Sequence, residues 1–504
     1  MKEYDTLAAV DLGSNSFRLQ VARVVDNQLY ELDSIKESVR LAAGLTADKH
    51  LDEATQLAAL ACMKRFGERL RGFAPEAVRA VGTNALRVAK NAGEFLAKAE
   101  QALGFPIEVV AGREEARLIY VGVAHGQPAA NERRLVVDVG GGSTECIIGE
   151  GLQPIATESL YMGCVTHTQR YFPGGKIDAQ RMHNAELAAS EELQTIAAQF
   201  LATGWQRAIG SSGTARAIGE ILLQNGFASG GISAEGLSRL RALLIRCGDW
   251  RKLAIPGLAP DRAQVIVGGF AIMSAVFAEL QIEHMALTDY ALRHGVLYDL
   301  LGRVHHDDLR EATVSQFMRR YHVDPAQAQR VEAVALKFYE QIAEGLPEIQ
   351  RQHETQLLSW AARLHEVGIS ISYSGYHKHS AYIAQNADMP GFSRMEQARL
   401  GLLLLTHRGA LAKFLPLVTR PEDWALILAF RLAVLFNRRR ADSELPPMRF
   451  ARKPDRYQLT LDEEWLERHP LTETVLEKEI AQWQAVGLEL RVKRAAREVA
   501  SKKT

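Results

Sequence analysis

The segment Val10-Asp11-Leu12-Gly13-Ser14-Asn15-Ser16-Phe17-Arg18 returns in kind at Val137-Asp138-Val139-Gly140-Gly141-Gly142-Ser143-Thr144-Glu145. Each copy is an apolar run, an aspartate, a turn of glycine and small polar residues, and a second β-rich run. A chain with this pattern is expected to fold as strand, tight turn and strand, twice over. Such turns expose several backbone N–H groups together and make a cradle for phosphate oxygens. An aspartate at the strand end can hold a hydrated cation against the same phosphate. The repeat therefore predicts two duplicated half-domains closing on one polyanionic substrate.

A chain of 504 residues exceeds a single core, and roughly three or four domains of about 100–200 residues are expected. Lys+Arg and Asp+Glu both number 60, so no net field draws the whole chain to nucleic acid or a membrane. A polyanion-binding surface must then be local. Cys62, Cys146, Cys164 and Cys247 lack CxxC or zinc spacing and read as reduced, mostly buried thiols. Charges interrupt the N-terminus, so it does not read as a signal peptide. Apolar runs such as Gly401-Leu402-Leu403-Leu404-Leu405 fall far short of the ~20 residues of a spanning helix. These features predict a soluble protein of the cytoplasm.

Residues 6–33 alternate like the strands of an antiparallel sheet, with a turn at Asp26-Asn27. Helical spacing follows over 53–73 and 92–103, separated by a short strand over 77–87. A strand over 105–110 runs into a helix that begins near Gly112. A polar linker over 126–134 opens the second half, which turns helical over 177–202. There the strand at Ala208 ends in Gly210-Ser211-Ser212-Gly213-Thr214, with Ser212 or Thr214 placed to cap the next helix. From about 304 the glycine loops vanish, and helical patterns at 311–321, 325–345, 354–367, 395–407 and 423–436 predict an all-α domain. Pro446-Pro447 marks a boundary before a small mixed α/β tail with a basic end. The expected domains are 1–125, 126–303, 304–445 and 446–504.

The motifs VDLGSNSFR, GTNALR, GREEARLIY, DVGGGSTE, GSSGT and LRHGVL stand in the order found in the exopolyphosphatase and guanosine pentaphosphate phosphohydrolase family, which the chain resembles from about residue 5 to 490. Met162-Gly163-Cys164-Val165 and Tyr171-Phe172-Pro173-Gly174-Gly175 are most similar to the long proteobacterial exopolyphosphatases. The resemblance implies an α/β fold of two actin-like (ribonuclease H-like) domains, then an all-α HD-like domain and a small α/β C-terminal domain. It implies processive hydrolysis of terminal phosphate from inorganic polyphosphate. The rival activity is conversion of guanosine pentaphosphate to the tetraphosphate; a superfamily kinase or actin-like ATPase and a non-catalytic polyphosphate or alarmone sensor are more distant alternatives. Mg²⁺ or another divalent cation is the implied cofactor, with K⁺ also open. A homodimer in the cytoplasm is implied, with peripheral association at the inner membrane open, no transmembrane segment and no nucleic-acid partner.

Hydrolysis of such a chain needs positioning, charge neutralisation and one carboxylate to deprotonate the attacking water. Glu115 matches the family's catalytic glutamate and begins a helix; the competing reading is that Glu114 and Glu115 only complement the helix dipole. Asp11 and Asp138, at equivalent strand ends, and Glu145 are the candidate metal ligands, against an Asx-turn role for the aspartates and a solvated strand position for Glu145. Gly13, Ser14, Asn15, Ser16, Gly140, Gly141, Gly142 and Ser143 are expected to grip phosphates. Arg18 occupies the duplicate of the Glu145 position as an anion clamp. Asn84 and Arg87 in GTNALR add a neutralising fork, with a surface salt bridge as the alternative for Arg87. Gly210, Ser211, Ser212, Gly213 and Thr214 form a third phosphate or nucleotide loop. Arg293 resembles the family's LREG arginine, while His294 replaces the usual glutamate.

In the helical domain, His365-Glu366 resembles an HD phosphohydrolase site in which glutamate replaces the aspartate and no late acid follows near Arg431, so the metal site reads as lost. His377, Lys378, His379, His407 and Arg408 form a candidate basic path for a long polyphosphate, against the reading of a solvated helix face.

Overall fold

Alternating apolar residues near the N-terminus pair as a meander: β1 (Thr6–Leu12) runs antiparallel to β2 (Phe17–Val25), which pairs with β3 (Gln28–Glu37). The computed structural model describes residues 4–25, 28–126, 132–304, 308–343, 345–442, 445–453 and 456–495. The expected Asp26-Asn27 turn and most of the 126–134 linker lie outside them. Two compact units divide the chain, Met1–Leu309 and Arg310–Thr504.

In the first unit, β3 is followed by α1 (Glu53–Arg69), β4 (Val78–Gly82), α2 (Asn84–Val88), α3 (Ala92–Leu103), β5 (Ile107–Val109) and α4 (Gly112–His125). The strands form one sheet in the order β3-β2-β1-β4-β5. A second series follows: β6 (Arg133–Val139), β7 (Thr144–Glu150), β8 (Gln153–Leu160), α5 (Cys164–Tyr171), α6 (Ala179–Thr203), β9 (Arg207–Gly210), α7 (Gly213–Gln224), β10 (Ile232–Ser233), α8 (Ala234–Cys247), α9 (Ala263–Glu279), β11 (His284–Leu287) and α10 (Leu292–Val304). Its sheet order is β10-β11-β9-β6-β7-β8. β6 thus repeats the part of β1: each pairs antiparallel with the strand after its turn and parallel with a later strand, β4 or β9. The duplicated loops of the sequence sit on a duplicated topology. Ser212, rather than Thr214, caps α7, its Oγ accepting the Ala215 N–H at 2.9 Å.

Two helices fix the cleft side of this unit. α4 and α10 cross with backbones in contact, because a Cβ on Gly295 would lie 1.7 Å from the Leu118 carbonyl oxygen and one on Gly122 would lie 2.5 Å from that of Ala291. α9 is apolar all round and packs against α5 and α6, which is how a helix is built for a core rather than a surface. With its preceding turn it is long and apolar enough to cross a membrane, a length of apolar chain that the sequence reading overlooked, and it is mostly buried.

The second unit holds α11 (Leu309–Arg320), α12 (Pro325–Ile342), α13 (Glu348–Leu364), α14 (Tyr376–Asn386), α15 (Arg394–Thr406) and α16 (Asp423–Phe436). A three-stranded sheet follows, β12 (Arg449–Lys453), β13 (Arg456–Asp462) and β14 (Glu489–Ala495), carrying α17 (Glu463–Arg468) and α18 (Pro470–Gln484). α14 was not expected, since its first turn is polar and no side chain caps it. His365 and His407 close α13 and α15, each with Nδ1 2.7 Å from a backbone carbonyl oxygen, of Ala362 and of Leu404. Both are buried, and burial pushes both imidazoles below their ordinary pKa.

Two predictions follow from this packing. Gly295→Ala should lower unfolding stability by about 2–3 kcal/mol through overpacking, whereas Gly93→Ala, exposed in α3 with nothing within 4 Å, should gain about 0.5 kcal/mol in a denaturant titration. His365 and His407 titrate near 6.5 when unfolded and lower when folded, so the unfolded state takes up the extra protons below that value. Stability is then full above pH ~6.5 and falls as pH drops below it. His407→Gln should flatten that slope in denaturant titrations at pH 7.5 and 5.5, even if it lowers stability at both.

Candidate active site

The register of the two hairpins sets the charges of the site. Asp11 lies directly across from Arg18, and Asp138 directly across from Glu145. Equivalent positions in the two halves therefore carry a cation on one side and an acid on the other. The turns themselves meet in backbone contact: a Cβ on Gly141 would lie 3.0 Å from the Ser14 side chain and 3.1 Å from the Asn15 nitrogen, and one on Gly142 would lie 2.4 Å from Asn84 Oδ1. Ser14 Oγ accepts the Ala85 N–H at 3.1 Å and ties the first turn to α2. α5 starts on the second turn, where Cys164 and Val165 donate their N–H groups to the Gly140 and Gly141 carbonyls at 2.8 and 3.0 Å.

Between the turns lies a cavity of about 120 Å³. Gly13, Ser14, Asn15, Ser16, Gly140, Gly141 and Ser143 line it, joined by Ser211, Ser212, Gly213 and Thr214 of the third loop. Thr214 Oγ1 donates to the Val139 carbonyl at 2.9 Å, which fixes the third loop to the second. Gly142 and Asn84 sit behind the lining, in contact with each other, and Gly210 packs on Ala215 and Met285 at the end of β9.

Asp11, Glu115 and Asp138 face this cavity, and Glu145 lies buried beside Asp138. Ser211 Oγ donates to Asp138 at 2.7 Å, and Ser159 Oγ donates to Glu145 at 2.8 Å. Burial pushes the Asp11 carboxyl up to about 7, with the charge of Arg18 working against the rise and that of Glu115 adding to it. Burial likewise lifts Asp138 to about 6 and Glu145 well above the carboxylate range, where Glu115 and Asp138 add to the rise. Burial is the main cause of these rises, and the neighbouring carboxylates add to it against the pull of Arg18 on Asp11 and Asp138 and of Arg87 on Glu145. Asp11 Oδ1 and Asn15 Oδ1, both at the cavity, and Asn84 Nδ2 behind it are buried with no hydrogen-bond partner within the protein. These residues fit a cation that also takes oxygens from phosphate and water. Among the described residues, no group of three His, Cys, Asp or Glu forms a metal cage by itself.

Four arginines face the acids: Arg18, Arg216, Arg262 and Arg293. Arg293 donates to Gln20 Oε1 at 2.6 Å and to the Asp289 carbonyl at 3.1 Å; burial and the charge of Arg18 hold it down at about 10. Arg216 pairs with Asp289 and keeps a buried Nε without a partner. The Arg262 guanidinium lies over Gly213, where a Cβ would come within 2.2 Å of it. Arg87, read either as a phosphate fork or as a surface salt bridge, donates to Glu115 Oε2 at 2.6 Å and to the Val110 carbonyl at 3.0 Å, in an ion pair that is nearly buried rather than at the surface. Thr83, Arg216 and Arg262 were missed. Arg216 lies only two residues beyond the GSSGT loop and could have been read with it, whereas Arg262 follows a stretch with no motif.

In the second unit, His377, Lys378 and His379 occupy the first turn of α14, and the His377 ring lies 6.2 Å from that of His407. Lys378 and Arg408 are exposed, and Arg408 stands 5.3 Å over the Tyr376 ring. His407 is buried and held neutral by that burial, so it adds no positive charge to this surface. Arg440 grips Glu366 at 2.6 Å, and Arg431 forms a buried pair with Glu479, which leaves His365 as a packed histidine.

A model of the Ppx/GppA phosphatase family matches residues 20–304, and a model of Ppx/GppA phosphatase domain III matches residues 309–480. The chain is similar to the crystal structure of an exopolyphosphatase from Cytophaga hutchinsonii, with 25% identity and a TM-score of 0.54 over 59% of this chain and 98% of that one. It is also similar to the Aquifex aeolicus Ppx/GppA family member, at 24% identity and a TM-score of 0.50 over 60% of this chain and 98% of that one. With family models covering most of its length, the chain belongs to the Ppx/GppA phosphatase family and is a hydrolase of phosphoric anhydrides.

Proposed function

We propose that this protein is an exopolyphosphatase, removing terminal phosphate processively from inorganic polyphosphate with a glutamate-activated water and a divalent cation. The observation that carries this reading is the cavity itself, in which Glu115 faces four arginines and two backbone cradles across about 120 Å³. A space that small suits tetrahedral phosphate groups and falls well below the ~300 Å³ of ordinary small-molecule pockets. A Cytophaga hutchinsonii exopolyphosphatase with 25% identity supports the same substrate class.

In this account the N–H groups of the first two turns bind the phosphate oxygens, and Arg18, Arg216, Arg262 and Arg293 neutralise their charge. Glu115 accepts the proton of the attacking water. Arg87 holds the Glu115 carboxylate through its 2.6 Å hydrogen bond and so aims it. Asp11, Asp138 and Glu145 would hold the divalent cation, Mg²⁺ in the first instance, which when bound offsets the charge of the transferred phosphoryl group.

The repeated sheet order supports an actin-like reading of residues 1–125 and 126–303, and the degenerate His365-Glu366 corner supports an HD-like ancestry for 304–445. A homodimer acting in the cytoplasm completes the proposal.

Phosphate release from long polyphosphate and from guanosine pentaphosphate, with and without Mg²⁺, tests it. Wild type should prefer polyphosphate and fall to background when the cation is chelated, and Glu115→Gln should lose roughly 10²–10⁴-fold in kcat on either substrate. Faster turnover of the pentaphosphate would replace the substrate assignment. Undiminished Glu115→Gln activity would remove the base assignment.

A further inference from the structure

Two residues past Glu115, the chain enters a buried knot of charges that takes no part in the cleft. Arg117 donates two hydrogen bonds of 2.8 Å to the two oxygens of Glu114 and a further one to Asp299 on α10. Asp299 also accepts from Arg79 on β4 at 2.7 Å and from Arg303, one turn further along α10, at 3.1 Å. Arg79 in turn donates to Glu108 on β5 at 3.2 and 3.0 Å. Arg79 and Asp299 side chains are only 2% and 7% exposed. Burial would lift the Asp299 carboxyl, but Arg117, Arg79 and Arg303 hold it far below the carboxylate range, so it stays ionised.

The elements tied by this one carboxylate are those that supply the cleft. α4 carries Glu115. β4 leads into Thr83, which lines the cavity, and then into α2, whose Arg87 grips Glu115. α10 begins with Leu292 and Arg293, both in the cavity wall. α4 and α10 run antiparallel, touching through Gly122 in the last turn of α4 and Gly295 in the first turn of α10, with Arg117 and Asp299 further along. Backbone contact of that kind sets how near the helices lie but leaves sliding along the axis cheap. The Asp299–Arg117 pair stops the slide, because moving α4 by a turn would strand two buried charges. Buried ion networks of this sort add little net stability over apolar packing, and what they supply best is one register.

We propose that Asp299 is a positioning residue of the reaction, fixing the Glu115 carboxylate through Arg117 on α4 and the Arg87-bearing segment through Arg79 on β4. The proposal rests on the base role of Glu115 put forward above. Asp299 does not line the cavity and acts through its arginines.

A double-mutant cycle on polyphosphate hydrolysis by the full-length chain tests this, using Asp299→Asn, Glu115→Gln and the pair. Misplacing a reacting group by an ångström costs roughly 10²-fold in rate, so Asp299→Asn should lower kcat by about 10–100-fold with KM within about twofold. Because the loss passes through Glu115, the double variant should be no slower than Glu115→Gln within about twofold. A kcat unchanged in Asp299→Asn, or a loss that multiplies in the double variant, overturns the proposal. If Asp299→Asn does not fold, as judged by circular dichroism, Arg117→Lys takes its place. It keeps the charge beside Asp299 but loses the two-pronged grip on Glu114, and the same kcat-selective, non-additive loss is required of it. Glu115→Gln turning over like wild type would instead remove the base reading, and this proposal with it.

Discussion

Everything at the cleft follows from two β-turns brought into backbone contact. Gly141 lies on Ser14 and Asn15, where a Cβ would be tight, and Gly142 lies on Asn84, where a Cβ would clash. That approach draws Asp11 and Asp138 from the ends of two separate sheets into one small space, with Glu145 and Glu115 beside them. Burial raises the carboxyls of Asp11, Asp138 and Glu145, and their mutual repulsion and the charge of Glu115 add to the rise. The fold tolerates the strain because Ser211, Ser159 and Arg87 each hold one acid in place. Four arginines line the same cavity. Acids and arginines together have a use when a polyanion and a cation enter together.

The surrounding structure reads as support for that geometry. The antiparallel pairing of β1 with β2 and of β6 with β7 places Arg18 and Glu145 at the same point of each half, so duplication supplies the frame and a single exchange of charge supplies polarity. α4 delivers Glu115 from the side, and its closeness to α10 depends on two glycines. In the second unit the histidines that close α13 and α15 are packed, their imidazoles pushed below their ordinary pKa by burial, and Arg440 holds Glu366.

Much of this was legible in the sequence because it is local. The duplicated Asp-Gly turns, a cap at Ser212 or Thr214 and the start of α4 at Gly112 all depend on residues within a few positions of one another. Arg18 and Glu145 were placed correctly against each other because strand register repeats with the turn. The partner of Arg87 was not legible: whether an arginine meets phosphate or Glu115 depends on packing between α2 and α4, which are far apart in sequence. Arg262 was invisible for a similar reason, since it reaches the cavity only because α9 packs against α5 beside the third loop. α9 was passed over as an apolar run without a motif, and α14 because its polar opening turn lacks a capping side chain. His407 looked like part of a basic surface, and only tertiary burial turns it into a neutral core group.

The central claim is that cation and phosphate meet between the two turns. Crystals of the Glu115→Gln protein grown with Mn²⁺ and tripolyphosphate would test it directly, using the anomalous signal of manganese to locate the metal. The account predicts a manganese peak in the cavity bonded to Asp11 or Asp138, with phosphate against Arg18 and Arg293. Manganese and phosphate bound elsewhere, with the cavity between the turns left to water, would contradict it.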